Sequence, residues 1–341
     1  MATLLVCLAG PEIPWIVLSV LLGTSQAGAA SHLFVLAGQS NMAGLGVVSE
    51  ADFPDSIPQV RVWNGFGELS GGWGPLRPGL AFKKENFGPE MTFGELLSAR
   101  SPSDTFYLIK VAVGGTMLAD EWRPPSAGGP GYWYSAMLEN VSRALDSLVS
   151  RPPLEGVFWM QGESDAIHDS TARAYSANLR AFVADVRKAW NAPAVPWYIG
   201  LIDTQPSWPY AATVRAAQAD VAQYLSCIVS VETIGLQTDG VHYGTEGQKQ
   251  LGRLFAEAWM ARTSSVERGD KIRLISRFGD ITLVGLNVPL AKARWVDWNG
   301  ATTEWFKIGE GMIPIHRSGR TRCLQIAIPG ERTYVMKVPP L

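Results

Sequence analysis

The chain is poor in the residues that metal and redox chemistry need. Among 341 residues there are four His and three Cys. His, Cys, Asp and Glu nowhere cluster at the spacing of a metal site, so no metal and no other cofactor is expected. Charge is scarce too: 18% of residues are charged against 47% hydrophobic, and the net charge is −2. Such a chain buries a core instead of staying disordered, and it offers no basic stripe for nucleic acid. After residue 30 no apolar run reaches the roughly 20 residues of a membrane helix, so no membrane span is expected in the mature chain. Cys7 would leave with a leader segment. Cys227 and Cys323 remain, and in an exported protein they either pair or stay as two buried thiols; both readings stand.

The leader is the first thing present. Residues 13–22 are apolar and "QAGAA" supplies small residues, so residues 1–30 read as a signal peptide cut close to Ala30 and Ser31. Its start is atypical, because residues 1–12 hold no Lys or Arg and Glu12 is acidic. The mature protein is expected to be secreted or periplasmic.

From residue 31 to 262, apolar strand-like runs alternate with helical patterns. "LFVLAG", "TFYLIKVAVGG", "LEGVFWMQGESD", "VPWYIGLI" and "CIVSVET" read as strands. "FGPEMTFGELLSAR", "YWYSAMLENVSRALDSLVS", "TARAYSANLRAFVADVRKAW", "PYAATVRAAQADVAQYL" and "GTEGQKQLGRLFAEAWMA" read as helices. Near-continuous apolar strands between helices predict an α/β fold, a parallel sheet covered on both faces. Beyond Ala261 the alternation stops at "TSSVERGDK". Six short runs, from "IRLISRF" to "TYVMKV", then predict a small all-β appendage over residues 266–341.

In a parallel sheet, ligands sit at the carboxyl ends of the strands. Those ends carry Gly38, Gln39, Ser40 and Asn41, then Gly114, Gly115 and Thr116, then Gln161, Gly162, Glu163, Ser164 and Asp165. Asp239 and His242 precede the last helix. Serine needs a histidine to take its proton, a carboxylate to orient that histidine, and donors for an oxyanion. Each residue also has a plainer reading. Ser40 could cap the helix that follows it. Asp239 could be a loop carboxylate, although Thr245 and Gln248 have the spacing of a capping box of their own. Glu163 and Asp165 lie too close on one loop to flank a glycosidic bond from opposite sides.

Taken together, "GQSNMAG", "VAVGGT", "WMQGESDA" and "DGVHYGTEGQKQLG" resemble the SGNH-hydrolase superfamily, in order, over about residues 31 to 262. The closer likeness is to its sialate O-acetylesterase and acetylxylan esterase branch (carbohydrate esterase family six). The resemblance implies a flavodoxin-like three-layer α/β/α sandwich, an acetylated carbohydrate as substrate, and no metal. It implies Ser40 as nucleophile, His242 as general base and Asp239 as its partner. The oxyanion donors it implies are the Ser40 amide, Gly114 or Gly115, and Gln161. Gln39, Asn41 and Glu163 would support the site, with Asn41 tying the Ser40 turn to the Gln161–Glu163 loop; Glu163 competes with Asp239 as the acid. Two other functions fit the same residues: a carbohydrate-binding protein without catalysis, and a general short-chain esterase or lipase. The loop over residues 62–87 is expected to build the pocket, with Trp63, Phe66 and Trp73 either stacking on sugar rings or packing beneath the loop.

Overall fold

The computed structural model describes residues 29–64, 72–81 and 83–267, and beyond them the backbone of strands between 272 and 338. Of the expected leader, residues 1–28 lie outside the described residues. The central sheet contains β1 (Ser31–Gly38), β2 (Ile57–Asn64), β3 (Gly74–Leu76), β4 (Thr105–Ala112), β5 (Leu154–Met160), β6 (Trp197–Leu201) and β7 (Ile228–Glu232). Its spatial order is β3-β2-β4-β1-β5-β6-β7. Only the β2–β3 edge pair is antiparallel. Without that edge, the remaining five strands run second, first, third, fourth, fifth in chain order. This is the flavodoxin-like winding, whose crevice opens beside the first strand where the chain reverses direction across the sheet.

The helices are α1 (Ser40–Ala43), α2 (Glu90–Arg100), α3 (Tyr132–Asp146), α4 (Asp169–Ala189), α5 (Ala211–Tyr224) and α6 (Thr245–Glu267). Alternation along β5 shows how they form two layers. Phe158 meets Phe93 of α2 at 4.7 Å and Phe255 of α6 at 5.2 Å. Its neighbour Trp159 points the other way, onto Phe182 of α4 at 4.7 Å. Successive strand side chains face opposite sides, so a strand buried on both must be apolar throughout. Phe158, Trp159 and Phe182 have no exposed surface, and each such side chain contributes roughly 1.5–3 kcal/mol by leaving water.

Three details differ from the sequence reading. β2 and β3 arise from residues expected to be mostly loop; Pro58 and Arg61 interrupt the apolar pattern of β2. Helix α6 continues through Thr263–Ser265 to Glu267, past the expected end at Ala261. In the C-terminal region, all strand pairs are antiparallel, in a three-stranded and a four-stranded sheet. The six expected runs are there, plus Gly311–His316, whose Pro314 hides it in the sequence. That strand lies at a sheet edge, where proline is tolerated. Cys227, at the turn before β7, is a free thiol.

Candidate active site

The site begins where β1 ends. Gly38 has φ +147°, and a Cβ there would fall 2.0 Å from the Met160 carbonyl oxygen. Only glycine lets the chain leave β1 this close to β5. The Gln39 amide donates to that Met160 oxygen at 2.9 Å, and the Val113 amide donates to the Gly38 carbonyl at 3.0 Å. The ends of β4, β1 and β5 are thereby joined. Helix α1 starts at Ser40 itself with Gln39 in the cap position, and no side chain caps it. The capping role considered for Ser40 is therefore absent. From residue 33 to 44, Ser40 alone is not buried. The fold hides every neighbour and leaves the serine.

Gly114 borders Ser40 directly: a Cβ on Gly114 would lie 3.4 Å from the Ser40 Cβ. Gly115 has φ +74° and open space on the side where a Cβ would stand. Among the described residues, no acceptor is bonded to the main-chain N–H of Ser40, Gly114 or Gly115. Unsatisfied donors at a turn beside a serine are what an oxyanion requires.

Gln161 is placed differently from the expectation that it lines the hole. It has no exposed surface. Its Nε2 donates to Asp165 Oδ2 at 2.7 Å, the Thr116 carbonyl at 3.0 Å and Gln39 Oε1 at 3.2 Å. Two hydrogens already serve three acceptors, so the amide reaches no substrate in this arrangement. Gln161 instead binds the three strand ends together. Gln39 shares that task, because its Oε1 also accepts from the amides of Gly162 at 3.4 Å and Ser164 at 3.3 Å. Asp165, fully buried, accepts from the Leu118 and Ala119 amides at 2.8 and 2.9 Å and so pins the loop after Gly115.

Asn41 connects the serine to the histidine. Its Nδ2 donates to Glu163 Oε1 at 2.7 Å and approaches the Val241 carbonyl at 3.5 Å. Its Oδ1 accepts from the Tyr243 amide at 2.9 Å. Asn41 therefore holds the main chain on both sides of His242. The expected tie between the Ser40 turn and Glu163 is present, together with one to the histidine loop that the sequence reading did not foresee. Gln248 adds a further link, donating to the carbonyls of Asn41 at 3.3 Å and Tyr243 at 3.4 Å. The capping box expected between Thr245 and Gln248 is absent, because Gln248 is used here and the Thr245 hydroxyl donates to Glu50 at 2.7 Å.

Asp239 interacts electrostatically with His242, but its hydrogen bonds go to the main chain of the loop. Its Oδ1 accepts from the main-chain amides of His242 at 2.7 Å and Val241 at 2.8 Å. Those bonds, the His242 amide first, hold the Asp239 carboxyl below its ordinary range. Among the described residues no side-chain bond joins Asp239 to the His242 ring. The carboxylate sets the loop that carries the histidine, closed further by the Thr238–Tyr243 bridge. Glu163 is buried beside Asn41. Desolvation pushes its pKa up to about 7, and its Oε2 has no partner. Trp63 is buried against Trp73 at 5.6 Å, and Trp73 donates to the Ser147 hydroxyl at 2.9 Å. Trp73 also meets Tyr107 of β4 at 5.1 Å; Phe66 lies outside the described residues. No group of three His, Cys, Asp or Glu that could hold a metal exists among the described residues.

The mostly parallel sheet with this winding and helices on both faces is the fold of the SGNH hydrolases. More narrowly, residues 30–261 match the family described as carbohydrate esterase, sialic acid-specific acetylesterase (SASA), and the chain belongs to that family. A carbohydrate-esterase activity is what this membership supports. The probable carbohydrate esterase At4g34215 of Arabidopsis thaliana is 29% identical over 251 residues, covering 68% of this chain and 91% of the relative. Its crystal structure superposes with a TM-score of 0.57 at 26% identity, over 67% of this chain and 98% of that one. NanS shares the fold, with a TM-score of 0.51 at 17% identity over 70% of this chain and 99% of its own. So does XAC1771, a carbohydrate acetylesterase from Xanthomonas citri, with a TM-score of 0.51 at 16% identity over 86% of this chain and 74% of its own.

Proposed function

We propose that this protein is a serine esterase that removes acetyl groups from carbohydrates through an acetyl-enzyme on Ser40. The observation that carries the reading is Asn41, which follows the half-buried Ser40, accepts from the Tyr243 amide and lies 3.5 Å from the Val241 carbonyl, on the two sides of His242. One side chain thus couples the position of the nucleophile to that of the base.

Ser40 Oγ attacks the acetyl carbonyl while His242 takes its proton. The developing oxyanion is met by the unbonded amides of Ser40 and of Gly114 or Gly115. His242 returns the proton to the sugar oxygen, which leaves, and water then cleaves the acetyl-enzyme by the same path. Gln161 and Gln39 keep the three strand ends in register. Asp239 orients the base through the main chain of its loop.

The substrate class follows from the family and from its relatives' described activities. Ser40→Ala and His242→Ala are each expected to lower kcat on p-nitrophenyl acetate by roughly 10³- to 10⁶-fold. Asp239→Asn should cost less than His242→Ala. A fluorophosphonate probe should label the wild type and spare Ser40→Ala. Near-wild-type turnover by Ser40→Ala would end the proposal, and an unlabelled, inactive wild type would favour a carbohydrate-binding protein. Acetate release from acetylated xylan, O-acetyl sialic acids and simple acetyl sugars would then separate the substrates.

A further inference from the structure

We propose that the buried Lys110–Glu90 pair is a positioning device for the nucleophile, clamping the far end of the helix that Ser40 begins. The inference rests on the esterase reading of Ser40. Lys110 sits in the middle of β4, on an otherwise apolar strand, with 3% of its surface exposed. Its Nζ donates to the Ala43 carbonyl and to Glu90 Oε2, both at 2.7 Å. Glu90 is 1% exposed, and its Oε1 accepts from the Gly88 amide at 3.1 Å.

Ala43 is the last residue of α1. A helix of four residues cannot satisfy its own terminal carbonyls. The Ser40 carbonyl is taken by the Gly44 amide at 2.9 Å, and the Ala43 carbonyl is taken by Lys110. The ammonium thus anchors the C-terminal end of a very short helix whose middle is tied by Asn41 and Gln248. The same strand runs on to Gly114, which borders Ser40. β4 therefore carries both the clamp on α1 and the glycine turn that must face the serine.

The surroundings are shaped for the pair. A Cβ on Gly88 would lie 2.4 Å from Glu90 Oε2, 2.8 Å from Lys110 Nζ and 3.2 Å from the Ala43 carbonyl oxygen. A Cβ on Gly44 would strike Gly88 Cα at 2.3 Å. The Phe87–Glu90 segment is pressed against the end of the nucleophile helix. Stability alone does not account for two dehydrated charges here. Replacing a buried ion pair by apolar side chains is often neutral or stabilising, whereas removing one partner leaves a costly unpaired charge.

That asymmetry supplies the test. Lys110→Met and Glu90→Gln each break the pair, and Lys110→Met/Glu90→Leu removes both charges. The double variant leaves no charge unpaired but strips the Ala43 carbonyl and the Gly88 amide of their partners, so its melting temperature should fall less than that of Lys110→Met, while kcat on p-nitrophenyl acetate falls about 10- to 100-fold, the cost of a misplacement of about 1 Å. KM should stay within about threefold, since the clamp acts on the nucleophile's geometry and not on binding. Fluorophosphonate labelling of Ser40 should slow in parallel with kcat. A folded double variant with wild-type kcat would overturn the proposal. Should the double variant not fold, Gly88→Ala decides: it keeps both charges and crowds the clamp, and an unchanged kcat there overturns the proposal equally. A wild type that neither turns over ester nor takes the probe would refute the esterase reading instead, so the two failures are distinguishable.

Discussion

Glu163 sits within the site with one carboxyl oxygen bonded to Asn41 and the other with no partner. Burial is the main reason its pKa is raised to about 7, and Asp165 adds to the rise. Tyr175 and Tyr243 feel its charge as well. An unfolded Glu titrates near 4.3, so between that value and about 7 the native state holds a proton that the unfolded chain has lost. Glu163 therefore contributes stability that is complete below the unfolded value and lost as pH rises through about 7. The loss is on the order of 4 kcal/mol. Glu163→Gln keeps the acceptor for Asn41 and removes the titration. Urea unfolding of both proteins from pH 5 to pH 8 should show the wild type losing ground to the variant up to about pH 7 and little further above it. Parallel stability curves would mean that Glu163 is not held neutral. At this scale much of the candidate site was legible: Ser40 at a strand end and His242 before the last helix are the residue types ester chemistry asks for, and the family resemblance adds Asn41 and Glu163. Side-chain direction was not. Nothing in "MQGESD" tells whether Gln161 turns toward substrate or toward Gln39 and Asp165, and nothing in "DGVH" tells that Asp239 spends its carboxylate on main-chain amides. Lys110 left one trace, a lone charge within "YLIKVAV", which burial of both strand faces makes conspicuous only once the strand is placed.

The elements meet most tightly where β1 passes into α1. Gly38 is held at φ +147° with its missing side chain directed at the Met160 carbonyl. Gly38→Ala would force β1 away from β5 or twist the turn. Either change should cost about 3 kcal/mol, the upper range for one strained residue. Because Gln39 bonds to Met160 and to the Gly162 amide, the same shift would displace Ser40, so ester turnover should fall together with thermal stability. A stable, fully active Gly38→Ala would show that the turn tolerates another geometry. The strong elements were readable for a physical reason: strands buried on both faces are unbroken apolar runs, and α3 and α4 show clear helical periodicity. The weak ones were not. β2 lies next to the sheet edge and needs few apolar residues. The last turns of α6 are polar, a pattern that reads as linker. The strand at Gly311–His316 carries a proline that only an edge position permits.

At the scale of the whole molecule, every residue assigned to the site falls between Gly38 and Gln248, within the family match over residues 30–261. The Arabidopsis structure is covered over 98% of its length by 67% of this chain, so the esterase unit closes in a relative of that size. XAC1771 aligns over 86% of this chain, more than the family region alone provides, so its likeness of fold extends into the C-terminal strands. A chain ending at Glu267 should therefore unfold cooperatively and hydrolyse p-nitrophenyl acetate within about threefold of the full protein, as expected of a domain with its own core. The measurement is a melting curve with steady-state kinetics on the same preparation. A truncated protein that melts cooperatively yet has lost turnover would mean that the C-terminal strands complete the site. A proportional loss of fold and rate would mean that they complete the core.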